Sequence, residues 1–67
     1  MIEITVNGEH RTLAEPTSIA DLLSVLELAD KRIAVERNGE IVPRSRHAEA
    51  MLAAGDRLEI VVAVGGG

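Results

Sequence analysis

The sequence predicts an α+β domain in which one helix covers one face of a small mixed sheet. Three observations lead to this fold class: an alternating apolar segment at the start, a segment with apolar residues at helical spacing, and a second alternating segment near the end. A helix with one apolar stripe needs one apolar surface to cover it, and a sheet with one apolar face provides that surface. The 67 residues suffice for one domain with a modest core.

The first elements form a β-hairpin. Met1–Asn7 alternates apolar and polar residues, which predicts a strand with one buried face. Asn7-Gly8 is a two-residue turn signal, because both residues tolerate a positive φ. Glu9–Ala14 returns as the second strand, with Leu13 as its clearest inward residue.

A helix follows the hairpin. Ser18 and Asp21 resemble a capping box, with Asp in place of the usual Glu. Apolar residues then recur at helical spacing, namely Ile19, Leu22, Leu23 and Leu26. These signals predict a helix from about Ser18 to Leu28.

The second half begins with another pair of strands. Arg32–Arg37 is predicted as the third strand, with Ile33 and Val35 inward, and Asn38-Gly39 as a second tight turn. A short fourth strand at Ile41-Val42 ends before Pro43. The segment 44–52 is expected to be irregular or briefly helical, with three residues available to the core: Ala48, Met51 and Leu52.

The strongest strand signal lies at the end of the chain. A turn at residues 54–56, in which Asp56 is a turn residue, leads into a strand predicted over Arg57–Val64. One face of it carries Leu58, Ile60, Val62 and Val64, and the other carries Glu59, Val61 and Ala63. As the most apolar strand, it is predicted to lie centrally and parallel to the first.

The element order is therefore β-β-α-β-β-β. It predicts a β-grasp, or ubiquitin-like, roll over residues 1–64, with a mixed sheet of four to five strands and one main helix packed on one face. Residues 65–67 are predicted to be a flexible glycine tail.

Composition excludes several function classes. The chain has no aromatic residue and no dense basic cluster, so nucleic-acid binding is not expected. No apolar run approaches the length of a membrane span, and nothing at the start resembles a targeting peptide. The absence of cysteine excludes thiolate metal ligands, disulfides and a cysteine nucleophile.

Side chains suited to catalysis or metal binding are also missing. His10 and His47 form no ligand pattern and are expected to face solvent, and Arg44 is expected to be a solvated loop charge. The acidic residues are spread along the sequence, without a convincing pair for acid–base catalysis. The sequence therefore predicts that the protein is not an enzyme and binds no metal.

The glycine end is the strongest candidate for function. Gly65, Gly66 and Gly67 have no Cβ, so their backbone can thread through a narrow channel. Three residues reach about 10 Å beyond the last strand. Beside them, the outward residues Ala34, Val61 and Ala63 are predicted to form an apolar patch rimmed by Glu36 and Glu59, which is typical of a partner site.

Four stretches together resemble a known family. They are ITVNGE near the start, NGEIVPR at Asn38–Arg44, GDRLEIV at Gly55–Val61 and VGGG at Val64–Gly67. In these stretches, and over essentially its whole length, the chain is similar to the ubiquitin-like sulfur carrier proteins. Its greatest similarity is to the thiazole sulfur carriers of thiamine biosynthesis.

The resemblance implies a modification at Gly67. In such carriers an E1-like adenylating enzyme uses ATP to activate the terminal carboxylate. A sulfur donor, such as a cysteine desulfurase, then converts it to a thiocarboxylate that supplies sulfur to thiazole synthase. Carried onto this chain, Gly67 is the modified residue, Gly66 completes the glycine pair, and Gly65 serves as a linker.

The exposed apolar patch is the predicted docking surface for these partners. We predict that both enzymes use the face formed by Ala34, Glu59, Val61 and Ala63. No cofactor is expected to be bound, because ATP is consumed by the activating partner. The free protein is expected to be a cytoplasmic monomer.

Three alternatives stay open on the sequence. The chain could carry sulfur for molybdopterin or cysteine synthesis. It could be a ubiquitin-like modifier that is conjugated through Gly67 to lysines of other proteins. It could also be an interaction module whose tail is inert.

Overall fold

The computed structural model describes residues 1–63, which form five strands and one α-helix. The elements are β1 (Ile2–Val6), β2 (Glu9–Leu13), α1 (Ile19–Val25), β3 (Ile33–Arg37), β4 (Glu40–Val42) and β5 (Arg57–Val62). A 3₁₀ turn at Arg44–Arg46 follows β4. The predicted continuation of the last strand to Val64 and the predicted tail at Gly65–Gly67 lie outside the described residues.

The five strands form one mixed sheet in the order β2-β1-β5-β3-β4. The central strand β5 runs parallel to β1, with Thr5 opposite Arg57 and Val6 opposite Leu58. It runs antiparallel to β3, where the pairing extends from Arg37–Leu58 to Ile33–Val62. The predicted central position of the last strand and its direction relative to β1 are both confirmed.

The core lies between α1 and one face of this sheet. Its buried apolar residues are Ile2, Ile4, Val6, Ile19, Leu22, Leu23, Val35, Leu52, Leu58 and Ile60. Val62 lies on the same face of β5, but it is 37% exposed. The predicted inward alternation of β1, β3 and β5 is therefore confirmed up to Ile60.

The helix begins as predicted and ends earlier. The Ser18 Oγ accepts the Asp21 N–H at 3.0 Å, and Asp21 Oδ2 accepts the Ser18 N–H at 3.1 Å, which completes the capping box. The predicted end at Leu28 is wrong, because Glu27 adopts a φ of 60°. The Leu28 N–H then donates to the Leu23 carbonyl and the Glu27 N–H to the Ser24 carbonyl, which is a Schellman motif. Within residues 1–63, no helix is long and apolar enough to cross a membrane.

Two of the three core residues predicted between β4 and β5 are wrong. Leu52 is buried, whereas Ala48 is exposed and Met51 is 44% exposed. The reason is that residues 50–52 lie extended beside the start of α1, where the Ile19 N–H donates to the Ala50 carbonyl and the Leu52 N–H to the Thr17 carbonyl. Neighbouring side chains of an extended segment point to opposite sides, so Leu52 faces the core and Met51 faces outward.

His47 is buried, contrary to the prediction that it faces solvent. Its side chain is packed after the 3₁₀ turn, and its Nε2 donates to the Val42 carbonyl at 3.0 Å. Its backbone carbonyl accepts the Ala20 N–H at 2.9 Å, so residue 47 joins α1 to the edge strand β4. His10 and Arg44 are exposed, as predicted.

Candidate functional site: the outer sheet face and the tail exit

The described end of the chain follows β3. β5 pairs with β3 as far as Val62, and the Ala63 N–H then donates to the Arg32 carbonyl at 2.8 Å. The described part of the chain therefore ends beside the start of β3. The predicted modified residue Gly67, and Gly65 and Gly66 before it, lie outside the described residues.

The predicted partner surface lies on the sheet face opposite the helix, which we call the outer face. Val61 is 63% exposed and stands directly opposite Ala34 in the register of β5 and β3. Glu59 and Ala63 lie on the same side of β5, two residues before and after Val61, and both are exposed. The structure thus brings the four predicted residues together on one solvent-exposed face: Ala34, Glu59, Val61 and Ala63. Their role as a contact surface stays a prediction.

Sequence reasoning missed one member of this face. Ile41 lies on the edge strand β4, opposite Glu36, and it is 64% exposed. Val42 pairs with the buried Val35, so Ile41 must point to the other side of the sheet. Counting the pairing outward from the Asn38-Gly39 turn would have found it. The apolar part of the outer face therefore spans β4, β3 and β5.

Two carboxylates stand opposite each other on this face. Glu36 of β3 pairs directly with Glu59 of β5, so the two predicted rim residues lie on the same face, and their direct pairing is set by the strand register. Like charges in directly opposed positions destabilise a sheet. An open hollow of about 380 Å³ lies beside them, lined by Glu36, Asn38, Gly39, Arg57 and Glu59. Arg57 lies two residues before Glu59 on the same side of β5, so it brings a positive charge to the same hollow.

The contacts of Asp56 stabilise the start of β5. Asp56 lies in the predicted turn, but it is only 6% exposed, which the sequence did not predict. Its carboxylate accepts the Ala53 N–H at 2.8 Å and Asn38 Nδ2 at 3.2 Å, and Arg37 Nε lies 3.0 Å from Oδ2. Three elements therefore converge on one side chain, which fixes where the central strand begins.

The part of the chain that the structure describes contains no group of three or more His, Cys, Asp or Glu side chains placed to hold a metal ion. The candidate functional features among the described residues are the outer face and the strand β5, which precedes the tail.

Three comparisons of the sequence with known proteins point to one family. The ThiS family model matches residues 4–67. The sulfur carrier protein ThiS of Bacillus subtilis is 46% identical over 65 residues, which cover 96% of this chain and 98% of that protein. A thiazole synthase of Paramagnetospirillum magneticum is 41% identical over 66 residues, and this chain spans 20% of its length.

A solved structure shows the same fold. The crystal structure of the thiamine biosynthesis protein ThiS from Geobacter metallireducens superimposes with a TM-score of 0.82 at 35% identity. The match covers 98% of this chain and all of that one. Since the family model and a full-length relative both span nearly the whole sequence, the chain belongs to the ThiS family.

Proposed function

We propose that the protein is a sulfur carrier for thiazole formation in thiamine biosynthesis, and that the carboxylate of Gly67 carries the sulfur. The observation that carries the proposal is the family match, which extends through Gly67 and so includes all three glycines. The likeness to the Bacillus subtilis sulfur carrier over 98% of that protein supports the same function.

The proposed chemistry needs no catalytic side chain from the carrier. A carboxylate is ionised at neutral pH and is a poor electrophile. One of its oxygens attacks the α-phosphorus of ATP and pyrophosphate leaves, which gives an acyl-adenylate. When the nucleophile is hydrosulfide, it attacks the carbonyl carbon and AMP leaves, so one carboxyl oxygen is exchanged for sulfur without a change of oxidation state. When a cysteine desulfurase provides the sulfur as a persulfide, the attack gives an acyl disulfide, and a second thiol then cleaves the S–S bond, which leaves the thiocarboxylate and a disulfide. The E1-like enzyme binds the ATP.

We propose thiazole synthase as the acceptor. A thiazole synthase of Paramagnetospirillum magneticum contains a segment that is similar to 98% of this chain, and so does one of Magnetococcus marinus. A carrier segment within a synthase would hold the sulfur close to the acceptor site at high effective concentration. The carrier is therefore a substrate of its partners rather than an enzyme.

The outer face is the docking surface that we propose for both enzymes. Val61 and Ala34 provide its exposed apolar centre, Ala63 continues it toward the tail, and Glu59 lies at its rim. Apolar surface ringed by charge is typical of partner sites. Because the same strand carries both Val61 and the tail, docking here would fix where the tail enters the partner. The cytoplasmic location and the monomeric state remain predictions.

Intact mass spectrometry tests the proposal. After incubation with the cognate E1-like enzyme, ATP and a sulfur source, we expect a mass gain equal to the difference between one sulfur and one oxygen atom. Deleting Gly67 or changing Gly66→Val should leave the fold intact and abolish the gain. Retained sulfur transfer after deletion of Gly67, or an isopeptide adduct on another protein instead, would contradict the proposal.

A further inference from the structure

The parallel pairing of β1 with β5 is short. Backbone hydrogen bonds run from the Thr5 N–H to the Asp56 carbonyl and from the Asn7 N–H to the Leu58 carbonyl, both at 2.9 Å. The next bond of such a ladder would reach Ile60 from the N–H of residue 9. The chain has by then turned away at Asn7-Gly8, where Asn7 adopts a φ of 50°.

The side chain of Asn7 continues the ladder in place of the backbone. Its Oδ1 accepts the Ile60 N–H at 2.8 Å, and its Nδ2 donates to the Ile60 carbonyl at 3.1 Å. The amide therefore bonds the N–H and the carbonyl of one β5 residue, as the backbone of a neighbouring strand would with two of its peptide groups. Past Ile60, the strand pairing of β5 among the described residues is with β3 alone.

We propose that Asn7 is a positioning residue for sulfur transfer, because its side chain makes the last hydrogen bonds from the β1–β2 hairpin to β5 among the described residues. The inference rests on the proposed function. Residues 61–63 span about 10 Å, so a tilt of about 10° at Ile60 moves Ala63, the last described residue, by about 2 Å. Displacements of this size at a reacting group lower the rate strongly.

The second Asn-Gly turn provides a matched control. Asn38 adopts a φ of 53°, its Oδ1 accepts the Arg57 N–H at 2.9 Å, and its Nδ2 donates to Asp56. It therefore makes the same kind of contact with β5, but at the start of the strand and away from the tail. Asn7→Gly and Asn38→Gly both keep a residue suited to positive φ and both remove two side-chain hydrogen bonds.

The test compares the kinetics of sulfur transfer to these variants, measured by intact mass with the E1-like enzyme, ATP and inorganic sulfide. For Asn7→Gly we expect kcat to fall about tenfold with KM nearly unchanged. The docking surface is intact in this variant, but the strand that carries the terminal carboxylate into the partner's site is no longer held in position. Asn38→Gly should keep kcat within about twofold of the original protein; KM is left out of this control, because Asn38 lines the hollow beside Glu36 and Glu59. Asn7→Asp keeps the turn preference, the size and the acceptor of the Ile60 N–H, but it loses the donor to the Ile60 carbonyl, so its kcat should fall as well.

Amide hydrogen exchange distinguishes a failure of the positioning role from a failure of the proposed function. Exchange at the Ile60 N–H should accelerate about tenfold or more in Asn7→Gly, which removes its acceptor, and little in Asn38→Gly. Wild-type kcat in a folded Asn7→Gly or Asn7→Asp protein overturns the positioning role, as does an equal loss in Asn38→Gly. Absence of any mass gain in the unmodified chain would contradict the proposed function instead, and the exchange result would still report on the contact.

Discussion

Single polar residues decide where the strands of this fold begin. Asp56 is the clearest case, since its carboxylate joins Arg37 of β3, Asn38 of a hairpin turn and the backbone of Ala53. A buried carboxylate is stable only while such partners satisfy it, so the three contacts act as a unit.

We expect Asp56→Ala to lower the free energy of unfolding by about 3 kcal/mol, because it leaves a half-buried guanidinium and a backbone N–H without their acceptor. Asp30→Ala is the control, since Asp30 is exposed and should change stability by less than about 0.5 kcal/mol. Urea unfolding of both variants measures the difference. Equal stability of the two variants would show that the Asp56 contacts contribute nothing.

For single residues, the sequence predicted which ones lie in turns better than it predicted their hydrogen-bond partners. Asn7 and Asn38 were assigned to tight turns, and their positive φ values confirm this. Their side-chain bonds to β5 were missed, because they join residues 53 and 19 positions apart. The burial of His47 was also missed, although its acceptor, the Val42 carbonyl, is only five positions away, because no local pattern indicates that the 3₁₀ turn returns residue 47 to β4.

At the scale of the elements, α1 packs against the sheet through one apolar stripe. One stripe of α1 is buried, with Ile19 and Leu22 at 0% exposure, while Val25 on the same helix is 66% exposed. The stripe and the capping box were readable from the sequence, because both follow from spacing alone. The end of the helix was not, because a non-glycine residue, Glu27, takes the positive φ that a terminal glycine would usually signal.

We expect Leu22→Ala to destabilise the protein by about 2–5 kcal/mol, because it opens a cavity at the centre of the helix–sheet interface. Val25→Ala, one turn away on the exposed side, should change stability by less than about 0.5 kcal/mol. Thermal and urea unfolding of the two variants measure the contrast. Similar losses for both would mean that the helix packs by a different face.

The capping box makes a smaller, separable contribution. Ser18→Ala removes the acceptor of the Asp21 N–H and should cost about 1 kcal/mol. Ser24→Ala, at an exposed position within the helix, should be neutral or slightly stabilising because alanine has the higher helix propensity. A loss in Ser24→Ala as large as that in Ser18→Ala would rule out a specific role for the cap.

At the scale of the whole molecule, the two sheet faces differ in what covers them. One face is covered by α1 and holds the fold together. The outer face leaves Ala34, Val61 and Ile41 exposed beside the strand that leads to the tail. The alternation of β5 predicted this division, but the cross-strand pairing of Glu36 with Glu59 required the register that only the structure provides.

We expect Val61→Glu to raise the KM for sulfur transfer at least about tenfold, because it places a charge at the centre of the proposed docking surface. Val25→Glu is the matched control, since Val25 is exposed to a similar extent on the opposite side of the molecule. Unfolding curves of both proteins confirm that they stay folded. An unchanged KM for Val61→Glu would place the docking surface elsewhere.

The central claim concerns one carbonyl carbon, and locating the sulfur atom tests it most directly. The protein is incubated with the E1-like enzyme, ATP and a sulfur source, and its last peptide is fragmented in a mass spectrometer. The account predicts that every fragment that contains the Gly67 carboxyl gains the mass of the oxygen-to-sulfur exchange and that no other fragment does. Sulfur found on any other residue, or an unchanged Gly67 in a protein that still supplies sulfur to the synthase, would contradict it.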